Sequence, residues 1–136
     1  IIHRDLKPEN IVLTKRDGEE IPKVLDFGIA KMLVGAASFV TQSGLIFGTA
    51  RYISPEGAAG EKVDQRSDVY SLGVMAYELL AGRAPFEADE PVQLLVKHMH
   101  EVPPPLRKWG PAMGVPPGVE DVVRRSLAVP KVSRWC

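Results

Sequence analysis

The stretch from Arg66 to Ala81 would be apolar on nearly every side if it formed a helix. Its apolar positions are Val69, Leu72, Val74, Met75, Leu79 and Leu80. A helix without a polar face must be covered by other elements, so this one is predicted to lie at the centre of a helical domain. Its longest apolar run, Val69 to Leu80, is too short to cross a bilayer and is interrupted by Ser71 and Glu78. Gly82 is expected to end the helix.

Two further helices are predicted on the C-terminal side of this one. The second runs from about Glu90 to His100 and places on one face Val92, Leu95, Val96 and Met99. The third begins after Pro116-Pro117, and its apolar face consists of Val119, Val122, Val123 and Leu127. Between them lies Pro103-Pro104-Pro105, which we interpret as a stiff connection rather than as a ligand for a polyproline-binding domain.

The N-terminal part predicts a small hairpin followed by a long loop. Ile11 to Leu13 and Lys23 to Leu25 are short β-prone runs, and the Asp17-Gly18 pair between them suits a hairpin turn. Ser38 to Tyr52 is rich in Ser, Thr and Gly without helical periodicity, so it is predicted to be a functional loop. Helices outnumber strands, and the expected fold class is mainly α.

Composition excludes several classes of partner. Lys plus Arg equals Asp plus Glu at 17 each, so no basic surface for nucleic acid or anionic lipid is indicated. The only cysteine, Cys136, excludes an internal disulfide and agrees with a reducing compartment. We find no signal peptide and no membrane segment, and we expect a cytoplasmic location unless segments outside this sequence anchor the parent protein in a membrane.

Four motifs follow one another in a fixed order. They are His3-Arg4-Asp5-Leu6-Lys7-Pro8-Glu9-Asn10, Asp26-Phe27-Gly28, Gly48-Thr49 to Ser54-Pro55-Glu56, and Ser67-Asp68-Val69-Tyr70-Ser71-Leu72-Gly73. In this order they resemble the eukaryotic-type (Hanks-type, bacterial-like) serine/threonine protein kinases over essentially the whole chain. The resemblance implies a protein-kinase-like C-terminal lobe with a small β-hairpin, ATP and Mg²⁺ as cofactors, and protein substrates with Ser or Thr acceptors.

The resemblance also implies a domain layout. Residues 1–136 would be a partial kinase domain with a catalytic loop at 3–10, an activation segment at 26–56 and a helical C-lobe at 57–136. The chain starts with Ile1-Ile2 instead of Met and contains no Gly-rich phosphate loop. We therefore expect a fragment whose N-terminal lobe is missing and which is inactive by itself.

Catalytic roles come from the same resemblance. Phosphoryl transfer concentrates negative charge, so cations must be held there and the attacking hydroxyl must be aimed. Asp5 would accept the hydroxyl proton, and Lys7 would meet the transferred phosphate, as in serine/threonine kinases. Asn10 and Asp26 would supply oxygen ligands for magnesium. Val12 matches the position that packs beneath the adenine ring.

Regulatory roles are implied for residues near and within the loop. Arg4 and Lys31 would receive a phosphate on the activation loop through charge-assisted hydrogen bonds. Thr41 and Ser43 are the candidate acceptors, through autophosphorylation in trans in a possible dimer. Thr49, in Gly48-Thr49, indicates together with Lys7 a Ser/Thr substrate class.

Structural roles are implied for five more residues. His3 and Phe27 match stacked members of a hydrophobic regulatory column. Asp68 corresponds to a buried acid that holds the backbone of the catalytic loop. Glu56 matches an acid that pairs with a distant arginine, for which Arg134 is the candidate.

Three alternatives remain beside these interpretations. A kinase-like lobe that serves only as a docking module is disfavoured by the intact Asp5, Lys7, Asn10 and Asp26. A small-molecule phosphotransferase is disfavoured because such enzymes have Gly where Arg4 stands.

His98 and His100 suggest a metal pair, but residues two apart point away from each other on a helix, so we predict two surface histidines.

Overall fold

The computed structural model describes residues 1–26, 50–109 and 114–134. Its strands are β1 (Ile11–Arg16) and β2 (Glu19–Val24), and its α-helices are α1 (Pro55–Ala58), α2 (Gln65–Ala81), α3 (Pro91–His100) and α4 (Pro117–Ser126). Single 3₁₀ turns occupy Pro8–Asn10, Leu106–Lys108 and Lys131–Ser133. The described part of the chain is thus mainly helical with one two-stranded sheet.

The predicted hairpin is confirmed and is longer than the sequence indicated. β1 and β2 pair antiparallel from Ile11 opposite Val24 to Arg16 opposite Glu19. The two turn residues, Asp17 and Gly18, have φ angles of 54° and 87°. A two-residue turn with both φ angles positive matches the twist of the strands, and Asp-Gly is among the few pairs that adopt it at low cost.

The central helix is also confirmed in its position and in its ends. At the start of α2 the side chain of Asp64 accepts a hydrogen bond from the backbone N–H of Arg66 at 2.9 Å, which satisfies an otherwise unpaired donor. At its end Gly82 adopts the left-handed conformation, with φ of 72°. The helix anchors the main hydrophobic core, which includes Leu6, Tyr52, Tyr70, Val74, Met75, Tyr77, Leu106, Val123 and Leu127.

The prediction that α2 is buried on nearly every side is wrong. Leu72 and Leu79 are 49% and 81% exposed, whereas Ser71 and Gly73 are buried. Small and polar residues occupy the inner side because α4 packs very close to it. A Cβ atom added to Gly73 would lie 2.7 Å from Cβ of Ser126.

The face predicted for α3 is only partly right, since Leu95 packs against the smaller core and Met99 is half-buried. The helix buries Leu94 and His98, while Val92 and Val96 are exposed. Leu94 enters a second, smaller core together with Ala50 and Phe86. The prediction that His98 is a surface residue is therefore corrected.

The C-terminal helix keeps half of its predicted apolar face. Val123 and Leu127 are buried in the main core, as predicted. Val119 and Val122 are exposed, and Ser126 takes a buried place beside α2. Its hydroxyl donates to the carbonyl of Val122 at 2.9 Å, so the buried polar group is satisfied within the helix.

Candidate active site

The backbone of the loop at residues 3–10 is fixed by one carboxylate of α2. Asp68 accepts hydrogen bonds from the N–H of His3 at 2.7 Å and from the N–H of Arg4 at 2.9 Å. Arg4 has a φ of 69°, a left-handed conformation that a residue with a long side chain rarely adopts. Such a conformation persists when its surroundings hold it, and the two bonds to Asp68 do so.

The loop brings three of the predicted catalytic residues together. The Nδ2 group of Asn10 donates to the backbone carbonyl of Asp5 at 2.8 Å and approaches its carboxylate at 3.4 Å. The Nζ atom of Lys7 lies 3.6 Å from the same carboxylate, and both side chains are about one fifth exposed. A partly exposed carboxylate therefore stands beside an ammonium group.

His3 connects this loop to the end of β2. Its Nε2 atom lies 2.9 Å from the carbonyl oxygen of Leu25, and its Nδ1 atom lies 3.3 Å from the N–H of Asp5. A carbonyl only accepts and an amide N–H only donates, so this geometry suits a ring with its proton on Nε2. One ring thereby holds Asp5 and Leu25 in a fixed relation.

Asp26 follows directly after that anchored residue. The N–H of Leu25 donates to the carbonyl of Asn10 at 2.8 Å, which ties together the chain positions of the two predicted metal ligands. Asp26 is exposed and has a φ of 52°. Val12, two residues beyond Asn10 on β1, is 42% exposed and presents an apolar surface on the same hairpin.

The donor set can be tested against magnesium. No group of three or more His, Cys, Asp or Glu side chains that could hold a metal ion occurs within residues 1–26, 50–109 and 114–134. Asn10 donates through Nδ2, so its amide oxygen is the atom that remains to ligate a cation. An amide oxygen and the Asp26 carboxylate fit magnesium, which takes few protein ligands and fills its other positions with phosphate oxygens and water.

The structure joins Glu56 to Arg134 in a buried ion pair. The Nη1 group of Arg134 lies 2.8 Å and 3.0 Å from the two carboxylate oxygens, and the side chains are 0% (Arg134) and 4% (Glu56) exposed. Burial by itself would raise the pKa of Glu56. Hydrogen bonds from Arg134 and Ser67 outweigh burial and hold that pKa below its usual value.

The remaining predicted site residues, Phe27, Lys31, Thr41, Ser43 and Thr49, lie outside the described residues. No helix in the described ranges is both long enough and apolar enough to span a membrane.

Comparison with known proteins decides the family. The sequence model of the protein kinase domain matches residues 1–135. This chain belongs to the protein kinase family. It is 48% identical over 129 residues to the serine/threonine-protein kinase PknB of Mycolicibacterium smegmatis, covering 94% of this chain and 20% of the relative. It is 44% identical to the kinase pkn3 of Myxococcus xanthus over 131 residues, covering 94% of this chain and 24% of that relative.

A third kinase shows the same pattern of coverage. PknB of Mycobacterium tuberculosis strain H37Rv is 42% identical over 137 residues, with 99% of this chain and 21% of that protein aligned. The chain thus spans between a fifth and a quarter of the length of these relatives.

One buried pair in this kinase-family chain was missed by sequence reasoning. The hydroxyl of Tyr70 lies 2.8 Å from Nδ1 of His98, and both residues are buried. The ring of Tyr70 lies beneath the guanidinium of Arg134 at 4.8 Å. The spacing of Leu94 and His98, four residues apart on one helix face, was the only signal in the sequence for this pair. The burial of a histidine on such a face can be predicted only when its hydrogen-bond partner is known.

Proposed function

We propose that the protein containing this chain transfers the γ-phosphoryl group of ATP to Ser or Thr hydroxyls of protein substrates. The observation that carries the proposal is the cluster of Asp5, Lys7 and Asn10 on a loop whose backbone is held by Asp68. The names of the relatives, serine/threonine-protein kinases, support the same activity.

Each side chain of the cluster has a distinct role in the proposal. Asp5 accepts the proton of the attacking hydroxyl and orients that hydroxyl for in-line attack. Lys7, 3.6 Å from Asp5, offsets the negative charge of the transferred phosphoryl group. Asn10 and Asp26 hold magnesium, which when bound neutralises charge on the phosphates. Val12 packs under the adenine ring with its exposed apolar side chain.

Regulation is proposed for the segment between Asp26 and Glu56. Phosphorylation of Thr41 or Ser43, by a second copy in trans, places a doubly charged group that pairs with Arg4 and Lys31. Thr49 contributes to recognition of the Ser/Thr acceptor. Mass spectrometry after incubation with ATP and magnesium is expected to find phosphate on Thr41 or Ser43, and phosphate found only elsewhere contradicts this assignment.

The central experiment replaces Asp26 by Asn in the longest natural protein that contains this chain. A neutral amide is a poor substitute for an anionic magnesium ligand, so transfer to a protein substrate is expected to fall by about 100-fold or more. Asp17→Asn is the matched control. Both aspartates have positive φ angles, 52° and 54°, which Asn also tolerates, but Asp17 sits at the exposed hairpin tip.

Comparing the two variants separates the loss of a magnesium ligand at Asp26 from any effect of Asn on a backbone with positive φ. Asp17→Asn should retain the unaltered rate of transfer. If Asp26→Asn transferred phosphate at the same rate as Asp17→Asn, the magnesium assignment would be wrong. If the unaltered protein phosphorylated no protein substrate, the proposed function itself would be wrong.

We further propose that residues 1–136 alone neither bind ATP tightly nor transfer phosphate. The exposure of Val12 and Asp26 supports this, since a nucleotide site encloses its ligand rather than presenting it to water. Calorimetric titration with ATP and magnesium is expected to show no binding in the micromolar range. Micromolar binding, or clear transfer in a radiolabel assay, would show that these residues suffice.

A further inference from the structure

The pair formed by Tyr70 and His98 takes no part in the proposed chemistry. Each residue is 1% exposed, and they join α2 to α3 through a hydrogen bond of 2.8 Å. The imidazole also meets the ring of Phe86 edge-on, with centroids 5.2 Å apart. A buried polar pair in a core costs stability unless both partners are satisfied, so its position calls for an explanation.

The imidazole of His98 is neutral at physiological pH. Burial lowers the pKa of His98 to about 4, and the nearby backbone of Arg51 opposes this shift only in part. A neutral imidazole has one donor and one acceptor nitrogen, which suits a tyrosine hydroxyl at Nδ1. In the described part of the chain, Nε2 of His98 is buried and makes no hydrogen bond, so Tyr70 is the polar partner of this ring.

Residues 50–56 are held by buried contacts at both of their ends, and the Tyr70–His98 pair lies between these contacts. At one end Ala50 packs with Leu94 and Phe86 in the smaller core. At the other end Glu56 binds Arg134, whose guanidinium lies 4.8 Å above the ring of Tyr70. His98 touches both anchors, through Phe86 and through Tyr70.

The same segment exposes two residues between its buried ones. Arg51 and Ile53 are half-buried, whereas Ala50, Tyr52 and Ser54 are buried. The Arg51 guanidinium is held at 2.9 Å by Glu78, and the hydroxyl of Tyr52 donates to Glu78 at 2.7 Å. A half-buried guanidinium and a half-buried apolar side chain therefore lie on the C-terminal side of Thr41 and Ser43 in the chain.

We propose that His98 is a positioning residue for residues 50–56, acting through its hydrogen bond to Tyr70 and its contact with Phe86. Its consequence for catalysis rests on the proposed kinase function: with residues 50–56 displaced, the protein substrate binds more weakly while ATP binds as before. The basis for this split is that neither His98 nor Tyr70 is bonded to Asp5, Lys7 or Asn10 in the described contacts.

The first arm of the test is hydrogen exchange in the longest natural protein that contains this chain. His98→Phe keeps an aromatic ring against Phe86 but removes the bond to Tyr70, so amides of residues 50–56 are expected to exchange about five-fold faster, the equivalent of roughly 1 kcal/mol. Amides of the hairpin at 11–24 should be unchanged. His100→Phe, on the exposed side of the same helix, is the matched control and should change neither.

Two other variants keep the test decisive if His98→Phe folds poorly. Tyr70→Phe removes only the hydroxyl and should reproduce the faster exchange. His98→Asn carries an amide near the position of Nδ1 and should restore exchange at 50–56 towards that of the unaltered protein. Exchange at 50–56 that stays unchanged in both His98→Phe and Tyr70→Phe, or that rises equally in the hairpin, overturns the proposal.

The second arm measures steady-state kinetics. His98→Phe is expected to raise KM for a protein substrate about three-fold or more and to leave KM for ATP unchanged, with rescue by His98→Asn. A purely structural role would lower kcat through loss of folded protein and leave both KM values alone. If the unaltered protein transfers no phosphate, the proposed function fails, while the exchange arm still decides the role of His98.

Discussion

Replacing Glu56 by Gln is expected to destabilise the protein severely, because it removes the carboxylate that faces a buried guanidinium. The carboxylate accepts from Arg134 at 2.8 Å and 3.0 Å, and neither side chain is accessible beyond 4%. Gln has the same size but replaces one acceptor oxygen by a donor that faces the guanidinium. Removing one partner of a buried pair costs about 3–5 kcal/mol in measured cases.

The structure places the expected loss at the lower end of that range. Arg134 also donates to the carbonyls of Ala128 at 2.7 Å and Val129 at 3.1 Å, and these bonds survive the substitution. The guanidinium therefore keeps part of its solvation. We expect the free energy of unfolding to fall by about 3 kcal/mol.

Glu120→Gln is the matched control. Glu120 accepts from Arg107 at 2.7 Å, a distance like that in the buried pair, but the Arg107 side chain is 74% exposed. Water takes over the role of the lost charge at such a site, so the loss should stay below about 1 kcal/mol. The two substitutions have identical chemistry and differ in burial.

Urea unfolding followed by far-ultraviolet circular dichroism measures both variants. A loss of about 3 kcal/mol lowers the midpoint by about 1 M or more for a protein of this size, without a change in slope. Added salt should weaken the effect of Glu120→Gln and leave that of Glu56→Gln. A midpoint for Glu56→Gln no lower than that for Glu120→Gln would refute the reasoning from burial.

Two further predictions concern the core. The pKa of His98 is lowered from 6.5 to about 4 in the folded protein. As pH falls, the unfolded chain therefore binds a proton at His98 before the folded chain does. The free energy of unfolding should decrease by about 3 kcal/mol between pH 6.5 and 4. His98→Phe should lack that component, and an equal pH slope in both proteins contradicts it. Gly73→Ala should lower the thermal midpoint because the new Cβ meets Ser126 at 2.7 Å, a clash of about 1–3 kcal/mol that exceeds the helix-propensity gain of about 1 kcal/mol. Gly118→Ala, with no atom within 4 Å, should not lower it.

Local signals in the sequence were sufficient for the hairpin and for the C-terminal end of α2. Asp17-Gly18 specifies its turn through backbone conformations that few residue pairs adopt, and Gly82 ends its helix for the same reason. Both features depend only on neighbours in the chain. They could therefore be predicted without knowledge of the fold.

The inner face of α3 could not be predicted in this way. Apolar periodicity favoured Val92 and Val96, but the helix buries Leu94 and His98. A histidine can be buried only beside a partner, and that partner, Tyr70, lies 28 residues earlier in the chain. Similarly, the burial of Gly73 depends on the approach of Ser126, which belongs to another helix.

In the candidate site, too, the sequence predicted which residues take part, but it did not predict all of their contacts. The motif order named Asp5, Lys7 and Asn10, and the structure gathers them on one loop. Glu56 and Arg134 were paired by resemblance over a separation of 78 residues, and the structure joins them. Nothing in the motifs pointed to Tyr70 as the ring beneath that arginine.

The long-range polar contacts converge on the first turns of α2. Asp68 binds the backbone of His3 and Arg4, 65 and 64 residues away, while Ser67 donates to Glu56. Tyr70 lies one turn further along α2. It binds His98, which in turn contacts Phe86 in the smaller core beside Ala50. The loop with Asp5 and the segment with Glu56 are therefore both bonded to the same helix. Under the proposed function, a shift of either one relative to α2 would move Asp5 out of line with the substrate hydroxyl. The need to hold both in place accounts for a buried Ser67 and a partly buried Asp68 at the start of α2, where an ordinary core helix would have apolar residues.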